Sequence, residues 1–171
     1  MSENFKQKLK HITTFMFDVD GVLTDGKVYF FPDGSPVRAL NNKDSYAFQL
    51  ARKKGYKLVV ITGGSSEVTK NALLRIGFHD VFLKQSDKLS CYKDYIAEHS
   101  LKDENILYMG DDLPDWEVMS RVGVAVCPND SAQEIKDICL YVSPKNGGEG
   151  CARDVIEQVL RVRGDWEISH W

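Results

Sequence analysis

The sequence contains no apolar run long enough to cross a bilayer. Stretches such as residues 58–61 fall far short of the roughly 20 residues that a spanning helix needs. It also lacks an excess of either charge: Lys plus Arg number 22, Asp plus Glu 25, and the formal net charge is −3. That balance excludes whole-protein attraction to nucleic acid or to an anionic membrane, so an anionic ligand has to be held by local groups. Cysteine is sparse. Cys91, Cys127, Cys139 and Cys151 are scattered, with no C-x-x-C and no Cys/His metal spacing, so reduced structural thiols are expected. Low-complexity stretches, internal repeats and linkers are absent. The opening MSENFKQKLKHITTF is too polar for a secretory signal, and a cytoplasmic location is expected.

What remains is an ordinary globular composition, 43% hydrophobic and 27% charged over 171 residues. This suits a single domain, residues 1–171, whose core needs no metal or disulfide to fold. A tail of about residues 163–171 carries Trp166, Ile168 and Trp171, apolar groups that are expected to pack on something.

Short apolar runs at Thr14–Phe17, Lys57–Ile61, 81–83, Ile106–Met109 and 124–126, with Tyr141–Val142 as a weak sixth, read as buried strands. Helical patterns at 45–54, 66–76, 88–99, 115–122, 132–138 and 151–162 alternate with them. The period predicts an α/β fold, a doubly wound and mostly parallel sheet covered by helices on both faces. One segment breaks it: residues 27–31 and 36–40 flank Pro32-Asp33-Gly34-Ser35, which predicts a β-hairpin flap over about 27–40. It follows the first strand and so projects from the carboxyl edge of the sheet, where such folds bind ligands.

The chemistry-bearing residues fall at strand ends. The first strand runs into Asp18-Val19-Asp20-Gly21. Carboxylates two residues apart on an extended chain face the same way and need a cation or a shared proton. The glycine lets backbone approach a ligand. A calcium loop would need Glu at its twelfth position, where this chain has Tyr29. The second strand ends at Thr62-Gly63-Gly64-Ser65-Ser66, a hydroxyl and small residues at a helix start, suited to phosphate or to simple capping. Lys88 follows the third strand, at a helix start where a cation is poorly placed unless an anion compensates. The fourth ends in Gly110-Asp111-Asp112-Leu113-Pro114-Asp115. Capping accounts for one of these carboxylates and a hard-metal site for all three.

In this order the four motifs resemble the haloacid dehalogenase superfamily, with its D-x-D-G, S/T, Lys and GDD-x-x-D. The resemblance spans essentially the whole chain. It implies a Rossmann-like core and a Mg²⁺-dependent phosphatase in which Asp18 forms an aspartyl phosphate and Asp20 is the general acid and base. Mg²⁺ would be held by the carboxylates of Asp18 and Asp111 and the main-chain carbonyl of Asp20. Asp112 and Asp115 would orient those ligands. Gly21, Thr62, Gly63 and Lys88 would hold the phosphate. A signalling receiver places its acceptor Asp on the third strand and has no late G-D-D-x-x-D, so its order does not match. A non-catalytic relative would have lost Asp18, Asp20 or Lys88.

No interval between the motifs has room for a cap domain. The hairpin, the run Asn41-Asn42-Lys43-Asp44-Ser45, and Gly147-Gly148-Glu149-Gly150 with Arg153 resemble the 3-deoxy-D-manno-octulosonate 8-phosphate phosphatase family. Its members are capless homotetramers of lipopolysaccharide precursor synthesis, in which one subunit helps cover the site of the next. The resemblance implies a small phosphorylated keto-sugar acid as substrate, with Asp20, Asn41, Asn42, Lys43, Asp44, Ser45, Gly64, Arg75 and Arg153 as candidate contacts. Nucleic-acid and membrane partners are not expected. Two departures stand out. Asn42-Lys43-Asp44-Ser45 replaces V-R-D-G, and Gly64 replaces the arginine of T-G-R, so a forked guanidinium is lost twice. Arg75, roughly 16 Å along its helix from Gly64, could reach the sugar end or a neighbouring subunit. Close relatives act on nine-carbon acids, 2-keto-3-deoxynononate or N-acylneuraminate 9-phosphate, which stay as the alternative substrates.

Overall fold

The computed structural model describes residues 3–167; Ile168 and Trp171 lie outside the described residues. The chain runs α1 (Glu3–Leu9), β1 (Thr14–Phe17), β2 (Tyr29–Phe30), β3 (Pro36–Val37), α2 (Asn42–Lys53), β4 (Lys57–Ile61), α3 (Glu67–Ile76) and β5 (Asp80–Phe82). It continues through α4 (Lys88–Glu98), β6 (Ile106–Met109), α5 (Trp116–Met119), β7 (Val124–Cys127), α6 (Gln133–Ile138), β8 (Tyr141–Val142) and α7 (Cys151–Arg163).

Six strands form one parallel sheet in the order β5-β4-β1-β6-β7-β8. Period-two alternation divides their side chains between two cores. Phe15, Phe17, Leu58, Val60, Leu107 and Met109 pack beneath α1, α2, α3 and α7. Met16, Val59, Ile61, Ile106 and Tyr108 pack beneath α4, α5 and α6. The strands are apolar on both faces because both faces are covered. The chain winds outward from β1 to β5 and then crosses back to β6 on the other side of β1. The switch point therefore lies between β1 and β6, the place where open α/β sheets form a ligand crevice.

Sequence and structure differ in a few elements. The N-terminal segment forms α1, whose Phe5 and Leu9 are buried, although the sequence reading gave it no element. The hairpin ladder is only two residues a side, Tyr29↔Val37 and Phe30↔Pro36. Pro36 has no N–H to donate, and no third strand supports the pair. The helix expected over 45–54 starts at Asn42, because Asn41 Oδ1 accepts the Lys43 amide at 2.9 Å. The helix expected over 115–122 is instead a 3₁₀ turn at Leu113–Asp115, opened by Asp112 and holding Pro114, followed by the four-residue α5. Trp166 packs on its own chain, edge-on to Tyr46 at 5.8 Å. No described helix is long and apolar enough to cross a membrane.

Candidate active site

Asp18 is the first residue after β1, and its amide donates to Met109 O at the end of β6. This places it at the switch point. Its side chain is held from two sides: Oδ1 accepts the Val19 amide at 2.7 Å, and Oδ2 lies 2.9 Å from Lys88 Nζ. Burial first, then the charge of Asp115, raises the Asp18 carboxyl to about 6, against the lowering pull of Lys88 and the Val19 amide.

Lys88 opens α4, whose cap is Asp87, with Oδ1 accepting the Ser90 amide. The anion anticipated from its place at a helix start is supplied twice, by Asp18 and by Asp115 Oδ1 at 2.7 Å. Burial alone would push the ammonium down, but the two carboxylates outweigh it and hold it above its ordinary range. Asp115 is itself fully buried, and its Oδ1 also accepts from Tyr108 OH at 2.7 Å. Its Oδ2 accepts the Asp111 amide at 3.3 Å. Asp112 is exposed and accepts the Leu113 amide at 2.8 Å, which makes it the cap of the turn.

One oxygen from each of Asp18, Asp111 and Asp115 lies within 4.8 Å of the others. Asp115 is sealed in by Lys88, Tyr108 and a backbone amide, whereas Asp18 at 9% and the half-buried Asp111 keep some exposure through which a cation can be met. Burial, then Asp18, Asp115 and Asp112 in turn, raises the Asp111 carboxyl to about 7. Crowded acidic oxygens of this kind are the donor set of a small hard cation. Gly21 (φ +83°) forms one wall of this cradle. A Cβ there would lie 2.0 Å from Asp111 Oδ2, so any other residue would fill the space.

Thr62 is buried at the end of β4, and its Oγ1 accepts the Gly64 amide at 3.1 Å. Ser66 caps α3 by accepting the Thr69 amide. Thr62, Gly64, Ser66, Asp20 and Arg38 line one small cleft. The exposed Gly63 lies on the loop above it.

The Gly147-Gly148 loop packs directly on the backbone after Asp20. Gly148 N donates to Val22 O at 2.9 Å, Asn41 Nδ2 donates to Gly148 O, and a Cβ on Gly147 would meet Gly21 O at 2.0 Å. These contacts give Asn41 and the glycines a bracing function.

The remaining candidate sugar contacts are dispersed. Asn42 and Lys43 are exposed in the first turn of α2, and Ser45 is half-buried there. Arg75 is exposed in the last turn of α3, at the far end from the cleft. The Arg153 guanidinium lies over Tyr46 and Trp166, at 5.4 and 5.5 Å, and near Glu157.

Asp44, 2% exposed, turns to the N-terminus of α7, where Oδ1 accepts the Arg153 amide at 2.7 Å. Its Oδ2 finds no partner among the described residues. Burial raises its carboxyl to about 6, against the lowering effect of the Arg153 amide. A carboxyl whose native value lies above its unfolded one binds a proton more readily when folded. Its contribution to stability is therefore greatest at low pH and declines as pH rises through about 6. Between about pH 3 and 8 the parent is expected to lose roughly 2–3 kcal/mol relative to Asp44→Asn. Urea unfolding of both proteins across that range checks this, and parallel pH curves would contradict it.

Sequence reasoning missed Arg38. It follows β3 and grips Asp20 with two hydrogen bonds, Nε to Oδ1 at 2.6 Å and Nη2 to Oδ2 at 3.0 Å. The available signal was a lone arginine on an otherwise apolar or turn-forming flap beside an acidic motif.

A family model described as haloacid dehalogenase-like hydrolase matches residues 75–154. The chain is 31% identical over 164 residues to a 3-deoxy-D-manno-octulosonate 8-phosphate phosphatase of Escherichia coli (strain B / BL21-DE3), covering 96% of this chain and 87% of that protein. A solved phosphatase of the same name from Yersinia pestis superposes with a TM-score of 0.94 at 29% identity, covering 96% of this chain and 89% of that one. A third, from Moraxella catarrhalis, was solved with magnesium, phosphate and KDO; it matches with a TM-score of 0.93 at 28% identity, covering 96% of this chain and 95% of that one. With its four motifs gathered at one switch point and near full-length likeness to these relatives, the chain belongs to the haloacid dehalogenase superfamily and, within it, to the 3-deoxy-D-manno-octulosonate 8-phosphate phosphatase family.

Proposed function

We propose that this protein is a Mg²⁺-dependent phosphatase that hydrolyses 3-deoxy-D-manno-octulosonate 8-phosphate to the free sugar acid and phosphate, in lipopolysaccharide precursor synthesis. The observation that carries the reaction is a buried carboxylate, Asp18, at the switch point, with a buried Lys88 on one side and Asp111 within a few ångströms on the other. The substrate rests on the likeness to relatives that carry that activity in their names, one of them solved with magnesium, phosphate and KDO.

Asp18 and Asp111, with the main-chain carbonyl of Asp20, fit Mg²⁺, which when bound neutralises charge on the phosphoryl oxygens. Lys88 lends its charge to the same end, and the Thr62 hydroxyl and the amides of Gly21 and Gly63 hold phosphate oxygens. The work is mostly positioning and charge neutralisation. Asp18 attacks phosphorus as the bond to the ester oxygen breaks, and Asp20 gives that oxygen its proton, so the alcohol leaves neutral. Asp20 then takes a proton from water as the water oxygen bonds to phosphorus, which releases Asp18 and inorganic phosphate. Asp112 and Asp115 orient the loop that carries Asp111.

The same reading makes the enzyme a cytoplasmic homotetramer with a single, capless domain. Tyr29, Phe30 and Phe31 are 61%, 71% and 59% exposed on the flap, an apolar surface of the kind that a neighbouring subunit covers.

Phosphate release from eight-carbon and nine-carbon keto-acid phosphates, with Mg²⁺ and with EDTA, tests the proposal. At least tenfold preference for the eight-carbon acid is expected, about 1.4 kcal/mol of differential transition-state binding, with no turnover in EDTA. Preference for a nine-carbon acid would keep the mechanism and change the substrate. A folded protein that releases nothing would defeat the proposal.

A further inference from the structure

The reading of Asp20 as general acid requires that it present an oxygen to the leaving group, yet both of its oxygens are engaged. Oδ1 takes the shorter guanidinium bond, from Arg38 Nε at 2.6 Å, and Thr24 Oγ1 lies 3.4 Å from the same oxygen. Oδ2 takes the longer one, from Nη2 at 3.0 Å. Beside Oδ2 lies the bare Cα of Gly64, where an added methyl carbon would sit 3.9 Å away. The two oxygens therefore differ: Oδ1 is clamped, while Oδ2 is held by one longer bond and borders the small cleft that Gly64 and Thr62 line.

Arg38 is set apart from the rest of the flap. Residues 29–37 are exposed, but the Arg38 side chain is only 16% accessible and is drawn inward onto Asp20. An ion pair with one partner about a third exposed adds little to stability. A forked, two-bond guanidinium does fix the plane and direction of a carboxylate.

The geometry points to Arg38 as the positioning residue of the general acid. Its Nε, with Thr24, keeps Oδ1 fixed, and Oδ2 exchanges the Nη2 bond for the ester oxygen when substrate enters beside Gly64. The flap thereby contributes to catalysis through Asp20, without itself touching the reacting atoms. This inference rests on the proposed mechanism and deepens it.

The test uses the full-length protein with Mg²⁺ and two esters. The eight-carbon sugar-acid phosphate has an alcohol leaving group that needs a proton. p-Nitrophenyl phosphate has a leaving group that departs unprotonated. The quantity read is the ratio of kcat/KM on the alkyl ester to kcat/KM on the aryl ester, which covers only the steps up to departure of the leaving group, with kcat and KM also followed separately. Arg38→Ala is expected to lower that ratio by about 10- to 100-fold, since misplacing a catalytic group by an ångström costs that much. Arg38→Lys, which keeps the charge but loses the fork, is expected to lower it less, and Asp20→Asn more. Equal losses on both esters, a loss confined to KM, or no loss in Arg38→Ala would overturn the role of Arg38 and leave that of Asp20 standing. An unchanged ratio in Asp20→Asn would instead overturn the general-acid assignment itself.

Discussion

Replacing Asp18 with Asn is expected to lower the rate of phosphate release by at least about 10⁴-fold while the protein stays folded. The amide is nearly isosteric and can still accept the Val19 amide, which lies 2.7 Å from Oδ1 in the parent. It cannot attack phosphorus to form an acyl phosphate. The substitution also removes a buried negative charge that burial and Asp115 already disfavour, as the raised value of about 6 records. In EDTA the variant is therefore expected to unfold at a temperature no lower than the parent. Two measurements check this: steady-state phosphate release, and hydroxylamine trapping of a phosphoenzyme, present in the parent and absent in the variant. A variant that keeps more than about a hundredth of the parental rate would remove Asp18 from the role of nucleophile.

The second large effect is expected at Lys88, where catalysis and stability are lost together. Lys88 is 4% exposed and lies between Asp18 at 2.9 Å and Asp115 at 2.7 Å. Lys88→Met fills similar space but leaves two buried carboxylates without their cation. Removing one partner of a buried ion pair typically costs about 3–5 kcal/mol, because the remaining charge is uncompensated. Activity is expected to fall by at least roughly 10²-fold from lost phosphate stabilisation. The two losses can be separated. Asp115→Asn, placed on the Lys88→Met background, removes one uncompensated charge and is expected to return much of the stability and none of the activity. Urea unfolding in EDTA, beside the phosphate-release assay, gives both numbers. If the single variant is as stable as the parent, the cation is not what holds these carboxylates in the core.

Much of the scaffold was legible because buried parallel strands announce themselves. Apart from Thr14, the runs at residues 14–17, 57–61 and 106–109 are apolar at every position that the sheet buries, and their bounds in the structure are those read from the sequence. The short α5 was not legible, since Pro114 and the cap at Asp112 divert the chain into a 3₁₀ turn before a helix can form. Nor was α1, a polar heptapeptide helix whose Phe5 and Leu9 are buried only because a core lies beneath them.

The candidate site divides along the same line. The sequence by itself determined which candidate residues come together, because Asp18, Asp20, Thr62 and Asp111 follow strand ends and Lys88 opens the helix after another, and parallel topology brings such ends to one edge. Only the tertiary structure decided what each carboxylate does. Asp115 was grouped with Asp112 as an orienting residue, yet one is sealed against Lys88 and Tyr108 and the other caps an exposed turn. Asp44 reads from the sequence as a sugar contact, yet it accepts the Arg153 amide in the first turn of α7, the helix packed beside its own and 109 residues away in sequence. Arg38, 18 residues beyond Asp20 in sequence, closes on it with a two-bond grip. The physical reason is that the partner of a charge is chosen by proximity after folding, and spacing along the chain encodes proximity only within one helix or one strand.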